Sequence, residues 1–366
     1  MPEPFIARVD LSEEDQKRLD RAAAEFDSEV TYLNTATVGL PPRRSWDALQ
    51  ASLADWRAGR ADPLAYDASV SAARGIYAQL VGVEASSVAI GSQVSVLAGL
   101  VAASLPPQSE VLTAAEDFTS VLFPFHAQAV RGVTVREAPL EALAEAVRPE
   151  TDLVAVSAVQ SADGRLADLD ALERACSAAG ARILLDTTQA VGWLPVDASR
   201  FAYTVAGGYK WLLAPRGTAY LTVAADLVDE LIPHGAGWYA GADRWESIYG
   251  SPLRLAADAR RFDVSPAWHA WVGAAPALEL LAEVGVGTLH AHGVGLANRF
   301  RRGVGLPPAN SAIVSALADP DAAPAIADAG VVGSVRAGRL RLSFHVSTTT
   351  ADVERAVNAL AGHLRP

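Results

Sequence analysis

Of the 30 lysines and arginines in the chain only two are lysine, Lys17 and Lys210. The sequence uses arginine wherever positive charge alone is wanted, so Lys210 asks for a chemical reason. Lys17 lies in the solvated run EEDQKRLDR, whereas Lys210 sits in AGGYKWLLAPRG, behind two glycines and a tyrosine and ahead of Trp-Leu-Leu. An amine can lose its proton and form an imine, while a guanidinium stays protonated and cannot. The ordinary alternative is a lysine whose stem covers apolar surface with its head in water. Upstream, the apolar run ARILLD ends on Asp186, Gln189 follows in DTTQ, and Lys210 comes 24 residues after the aspartate. A carboxylate at the end of a buried strand is costly without a cationic or hydrogen-bonding partner, although Asp there also commonly caps the next helix. The segment GSQVS places Ser92, Gln93 and Val94 between a strand and a helix, where free N–H groups and the helix dipole bind phosphate. A plain serine-capped turn is its alternative. Phe118, in AAEDFTS just past the run EVLTA, either lies flat on a planar ligand or belongs to the core.

Together these pieces are more specific than any one alone. A helix N-terminus for a phosphate, an aromatic plate, a strand-end aspartate with a nearby glutamine and an apolar-flanked lysine are what pyridoxal 5'-phosphate requires. Lys210 forms the imine, Asp186 keeps the ring nitrogen protonated, and Gln189 donates to the ring oxygen. No nucleotide fingerprint competes, since the chain has neither GxxxxGK[ST] nor a GxGxxG following a strand.

Such groups need a sheet edge to stand on. From about Ser86 to Val223 short apolar runs alternate with amphipathic segments, which predicts a mostly parallel sheet wrapped by helices, an α/β fold. The predicted strands are SVAIG (Ser87 to Gly91), EVLTA (Glu110 to Ala114), VTVRE (Val133 to Glu137), DLVAVSAV (Asp152 to Val159), ARILLD (Ala181 to Asp186), YTVAG (Tyr203 to Gly207) and GTAYLTV (Gly217 to Val223). Ligands bind beyond the carboxyl ends of such strands. The helix LDALERACSAAGA has Gly180 as its expected C-cap. The chain divides into a large domain over 60–240 and a smaller α+β unit made of 241–366 with the N-terminal segment 1–59. Within that segment a charged helix, the extended stretch TYLNTATVGLPP and a helix from about Arg43 read as a unit apart.

With 51% hydrophobic and 20% charged residues the composition is that of an ordinary globular protein, and the net charge of -12 without a basic block argues against nucleic acid and anionic membranes. One cysteine, Cys176, excludes an internal disulfide and any CxxC site. With no leader-like or spanning segment, a reducing cytoplasm is the expected location. His290 and His292 in TLHAHG lack a third ligand and are read as surface or packing residues; no metal is expected.

The order and spacing resemble the class V aminotransferase and cysteine desulfurase group of fold type I pyridoxal phosphate enzymes, with its kynureninase, isopenicillin N epimerase and C–S lyase branch. The resemblance runs through YLNTATVGLPP, GSQVS, EDFTS, SAVQSADG, LLDTTQAVG, GGYKWLLAPRG and RLRLSFHVSTTTADVERAV. It implies that Lys210 is the catalytic Schiff-base lysine, Asp186 the pyridinium partner, Gln189 and Gln160 neighbours of the ring oxygen, and Phe118 the stacking residue. It further implies that Ser92, Gln93 and Val94 form the phosphate turn, assisted by Tyr209. Arg341 resembles the arginine that holds a substrate α-carboxylate, and Asn34 and His345 join it as substrate-facing residues. A homodimer is implied, with Trp238 reaching the neighbouring subunit's cofactor. Two departures stand out: Val94 and Gly207 occupy positions where many members carry a threonine and a serine hydroxyl.

The resemblance implies action on an α-amino acid through an external aldimine, with Lys210 removing the α-proton. Cys176, mid-helix, reads as a small buried apolar group, which disfavours a persulfide-forming desulfurase. The expected reaction is β-elimination from a cysteine-derived conjugate. Aminotransfer is the alternative, followed by kynureninase-like hydrolysis, epimerisation and a non-catalytic sensor.

Overall fold

The computed structural model describes residues 11–365. Helix α1 (Glu13–Ala23), the short strand β1 (Thr31–Tyr32), α2 (Arg43–Arg57) and α3 (Pro63–Leu80) precede the main sheet. Its strands are β2 (Val88–Gly91), β3 (Glu110–Ala114), β4 (Thr134–Ala138), β5 (Thr151–Ser157), β6 (Arg182–Asp186), β7 (Tyr203–Gly207) and β8 (Ala219–Val223). They lie in the order β2-β8-β7-β6-β5-β3-β4. Only β8 runs against its neighbours β2 and β7, and the remaining pairs are parallel. This is the mostly parallel α/β sheet that the apolar runs predict, with strand ends within a residue or two of the expected ones.

Successive side chains point to opposite faces of a strand, so an all-apolar run feeds two cores. In β5, Val154 and Val156 enter one core while Leu153 and Ala155 enter the other; in β6, Ile183 and Leu185 part from Leu184 in the same way. Helices α4 (Val94–Ser104), α5 (Thr119–His126) and α6 (Leu169–Ala179) connect the strands, and α6 ends at Gly180 in the left-handed region with φ 76°, as its C-cap requires. The long helix α7 (Trp268–Val284) packs against α2 and α3, and α8 (Val286–Gly303) follows it. No single helix among the described residues is long and apolar enough to cross a membrane.

The C-terminal part adds β9 (Ile313–Ala318), α9 (Ala322–Asp328), β10 (Val331–Val332), β11 (Ser334–Arg336), β12 (Arg339–Ser343), α10 (Thr350–Leu360) and β13 (Leu364–Arg365). Strands β11-β12-β9-β13 form a second sheet over a third core built from Leu33, Phe300, Val314, Leu342, Phe344 and Val353. Leu33 in that core, and the parallel pairing of β1 with β10, show that the N-terminal segment is laced into this unit instead of standing apart. Two short adjacent edges pair there because each leaves its main-chain donors open.

The edge strand β2 is clamped by a buried ion pair. Arg74 donates to Asp263 Oδ2 at 2.6 Å and to the carbonyl of Val88, and Asp263 Oδ1 accepts the Ile90 N–H at 2.9 Å. Both side chains are almost wholly buried. Breaking such a pair strands an uncompensated charge, so Asp263→Asn is expected to cost about 3–5 kcal/mol, read as a lower urea midpoint. A double change of Arg74→Met with Asp263→Leu should recover most of that loss.

Candidate functional site

Five strand ends converge on one cleft of about 490 Å³ at the carboxyl edge of the main sheet. Ser157 closes β5, Asp186 closes β6 and Gly207 closes β7, while β3 leads to Phe118 and β2 to Ser92 and Gln93; all of these line the cleft. Lys210, 5% exposed, reaches it from the loop after β7. That loop is tightly tied: Gly208 N–H donates to the Thr218 carbonyl, and Ala214 N–H donates to the Gly208 carbonyl at 3.0 Å. The stretch LNTATVGL presses on it from outside. Gly39 donates its N–H to the Tyr209 carbonyl at 2.9 Å, and a Cβ there would lie 2.1 Å from the Lys210 carbonyl oxygen, so only glycine fits.

Electrostatics set the state of the amine. Burial pushes the Lys210 amine down to about 8; Asp186 opposes this, and Arg341, Arg336 and Arg216 add to the lowering. Its Nζ lies 5.1 Å from the Phe118 ring centroid and 5.6 Å from that of Tyr209. Burial likewise pushes Asp186 up to about 6, despite the Thr188 N–H donating to Oδ1 at 2.8 Å. At the far end α4 begins at Val94 with Gln93 as N-cap and no side chain accepting from its first turn. Its open N–H groups are a ready anion site, and Ser92 does not cap them as the ordinary reading would have it. Tyr209 also lines the cleft, with the Arg216 guanidinium 4.9 Å above its ring.

Several expected residues stand elsewhere. Gln160 is buried and turned inward, donating to Asp117 Oδ2 at 3.2 Å, which removes it from the cleft wall. Gln189 does line the cleft, but its two amide hydrogens go to the Ala36 carbonyl and Ser161 Oγ, and Oε1 accepts from Trp211 Nε1 at 2.7 Å. No hydrogen remains for a ring oxygen, and the Ser161 hydroxyl takes the wall position. Arg341 stands one side chain back, donating to Ser161 and, at 2.8 Å, to Thr37 Oγ1. His345 is fully enclosed behind Trp211, donating Nε2–H to the Trp211 carbonyl at 2.8 Å, and burial pushes its imidazole down to about 4. It is therefore a neutral buttress of the lysine loop and no part of the cleft. Asn34 also lies off the cleft wall, with its Oδ1 buried and unpartnered, and Trp238 packs beside Tyr239 and Trp245. His290 stacks on Trp193 and His292 bonds the Thr348 carbonyl, both in packing roles. No cluster of three metal-ligating side chains occurs among the described residues. Cys176 is buried, and burial pushes its thiol up to about 11, far from the thiolate form that reactivity needs.

The sequence reading missed Asp117, Ser157, Ser161, Thr188 and Thr218. Asp117 accepts from Phe118 N–H, Ser157 Oγ and Ser157 N–H, and so ties the ends of β3 and β5 together beneath the Phe118 ring. Thr188 Oγ1 accepts the Gly207 N–H at 3.0 Å and links β6 to β7 beside Asp186. All but Thr218, which stands just before the amino end of β8, share one signal: a hydroxyl or carboxylate within a few residues of a strand's carboxyl end.

Residues 78–313 match the family model described as aminotransferase class-V. The chain is 30% identical over 230 residues to the uncharacterized aminotransferase YcbU of Bacillus subtilis, a span covering 60% of each chain. It is 28% identical over 305 residues to isopenicillin N epimerase of Streptomyces clavuligerus, covering 76% of this chain and 75% of that one. Among solved structures, the cystine C–S lyase C-DES in complex with cysteine persulfide superposes with a TM-score of 0.82 at 21% identity, covering 92% of this chain and 98% of that one.

The lowered lysine has a thermodynamic signature. Its folded pKa of about 8 lies below the model-compound 10.5. Below pH 8 the buried ammonium therefore carries its full penalty, which fades as pH rises towards 10.5. Lys210→Met in the cofactor-free protein is expected to be more stable than the parent at pH 7, on the order of 2 kcal/mol. Urea titrations across that range should show the gain disappearing by its alkaline end.

Proposed function

The chain belongs to the class-V aminotransferase family and has the fold type I architecture of its pyridoxal phosphate enzymes, and on that premise we propose that it carries out β-elimination on a cysteine-derived α-amino acid. The single observation that carries this reading is the enclosed Lys210 amine beside the enclosed Asp186 carboxyl at the carboxyl edge of the sheet.

The residues present fit pyridoxal 5'-phosphate. Asp186 is a carboxyl whose burial goes largely uncompensated by its one backbone bond, and a protonated ring nitrogen is the partner it lacks. The uncapped first turn of α4, with Ser92, Gln93 and the Val94 N–H, suits the phosphate, and Tyr209 adds a hydroxyl. Phe118, 43% exposed in the absence of any stacking partner, offers a face to the ring. When bound, the cofactor supplies an electron sink for negative charge at the substrate α-carbon.

The rest is the work of the chain's own groups. An amine with a pKa near 8 is neutral often enough at physiological pH to take a proton and acidic enough to return it. Lys210 Nζ removes the α-proton in this reading and, as the ammonium, returns it to the leaving sulfur. Beyond Lys210 the cleft wall holds only Asp186 and Tyr209 as titratable groups. With the Tyr209 hydroxyl given to the phosphate, Lys210 is the one base left on the wall, which supports elimination over a two-base epimerisation. The hydroxyls of Ser120 and Ser161 offer hydrogen bonds to the polar part of a substrate without competing as bases. Arg341 holds the α-carboxylate once released from Ser161 and Thr37. The exposed Trp46, Trp56, Tyr249 and Leu253 support a homodimer as the working form.

Reaction with an excess of S-alkyl cysteines separates the readings. Elimination yields pyruvate, ammonia and thiol over repeated cycles; one equivalent of aminated cofactor and no thiol would establish aminotransfer instead. Lys210→Ala is expected to remove the visible absorption of the bound cofactor and lower turnover by about 10²–10⁴-fold.

A further inference from the structure

This inference rests on the reading that the cleft takes an α-amino acid, and concerns what the far end of that amino acid carries. Two guanidiniums converge on one hydroxyl beside the cleft. Arg341 Nη2 donates to Thr37 Oγ1 at 2.8 Å, and Arg336 Nη2 donates to the same oxygen at 3.3 Å. They come from adjacent antiparallel strands, Arg336 ending β11 and Arg341 in β12, joined by the turn Ala337–Gly338. The register opposes Arg336 to Arg339 and Ser334 to Arg341, so the two reach Thr37 from different levels of the hairpin. Arg341 is 2% exposed, whereas Arg336 is at the surface.

Neither makes an ion pair with a carboxylate among the described residues. The only other bond of Arg336 is to the Val335 carbonyl at 2.8 Å. Two like charges sharing one neutral acceptor disfavour each other, and both are felt at Lys210. An anion between or beyond them relieves that repulsion. A single α-carboxylate occupies the deeper guanidinium, Arg341, and leaves Arg336 unmatched on the solvent side, where the substrate side chain must exit. The cleft wall itself opposes nothing to a second acid, because its one carboxyl, Asp186, closes the inner end of the cleft at the foot of β6.

We propose that Arg336 is a specificity residue that binds a second acidic group, so that the preferred substrates are α-amino acids whose side chain ends in a carboxylate. Guanidinium suits the role because it presents paired N–H donors to a planar carboxylate and keeps its charge.

The test uses the protein loaded with pyridoxal phosphate and reads binding from the shift in the cofactor's visible spectrum, which does not depend on which bond is later broken. S-carboxymethylcysteine and S-methylcysteine differ by the second carboxylate alone. The parent is expected to bind the first about tenfold or more tightly than the second, as one charge-assisted bond allows. In Arg336→Gln that ratio should fall close to one, with Arg336→Lys in between. Far-ultraviolet dichroism and the cofactor spectrum check that the variants are folded and loaded. No preference in the parent, or a ratio unchanged in Arg336→Gln, overturns the proposal; weaker binding of both ligands alike in that variant would put Arg336 on the α-carboxylate they share. If neither ligand perturbs the spectrum while the cofactor is bound, the amino-acid reading of the cleft fails and takes this proposal with it.

Discussion

An amine and a carboxyl enclosed together at the edge of a parallel sheet are the constraint on which the rest of the structure depends. Each alone is disfavoured in its charged form by the loss of water, and the shifts run towards neutrality for both, Lys210 down and Asp186 up. Such a pair is retained only if surrounding structure holds it there. The strand β6 supplies the carboxyl at the end of a buried run, ILLD, whose neighbours β5 and β7 are parallel to it. The lysine cannot be held by a strand, because it must approach from outside the sheet. It is held by a loop in which the carbonyls of Gly208, Tyr209, Lys210 and Trp211 each accept a hydrogen bond.

That loop is where the two halves of the molecule meet. His345, from the segment after β12, donates to the Trp211 carbonyl, and Trp211 Nε1 donates to Gln189 Oε1 on the β6 side. Gln189 donates to the Ala36 carbonyl, and Ala36 N–H donates to Ser343 Oγ, which returns the chain of bonds to β12. The circuit is closed and buried, so a break at any member leaves an unsatisfied polar group, which is costlier than the bond itself is favourable. The pairing of β1 with β10 fixes the other end of this stretch, so that it is held on β10 at Thr31 and on the lysine loop at Gly39.

What could be read from the sequence follows from range. The strands were legible because an all-apolar run bounded by turn residues has few other uses, and Asp186 and Lys210 because their types conflict with their surroundings. Residues whose position depends on side-chain direction were not legible. Gln160 lies in the right segment but is claimed by Asp117, and Asp117 carries no local mark that distinguishes it from Glu116 beside it. His345 follows Arg341 by four residues, and along β12 and the turn after it that spacing says nothing about which face of Trp211 it will meet. The pairing that joins the N-terminal segment to the C-terminal unit was not legible, because β1 is two residues long and its partner lies some 300 positions on, beyond the reach of any local pattern.

The two departures from the family pattern have different physical standing. Val94 sits in the first turn of α4, where the backbone N–H serves an anion whatever the side chain, so the loss of a hydroxyl there removes one donor and leaves the rest. Gly207 is tied to its neighbours. A Cβ at that position would lie 3.3 Å from Tyr209 Cε1 and 3.4 Å from Thr188 Cγ2, tighter than ordinary carbon contacts. A serine at 207 therefore asks the Tyr209 ring to give by a few tenths of an ångström. Thr188 Oγ1 accepts the Gly207 N–H, so the glycine is held against β6 without a side chain of its own, and the Tyr209 ring rests in space that a larger residue at 207 would have to share.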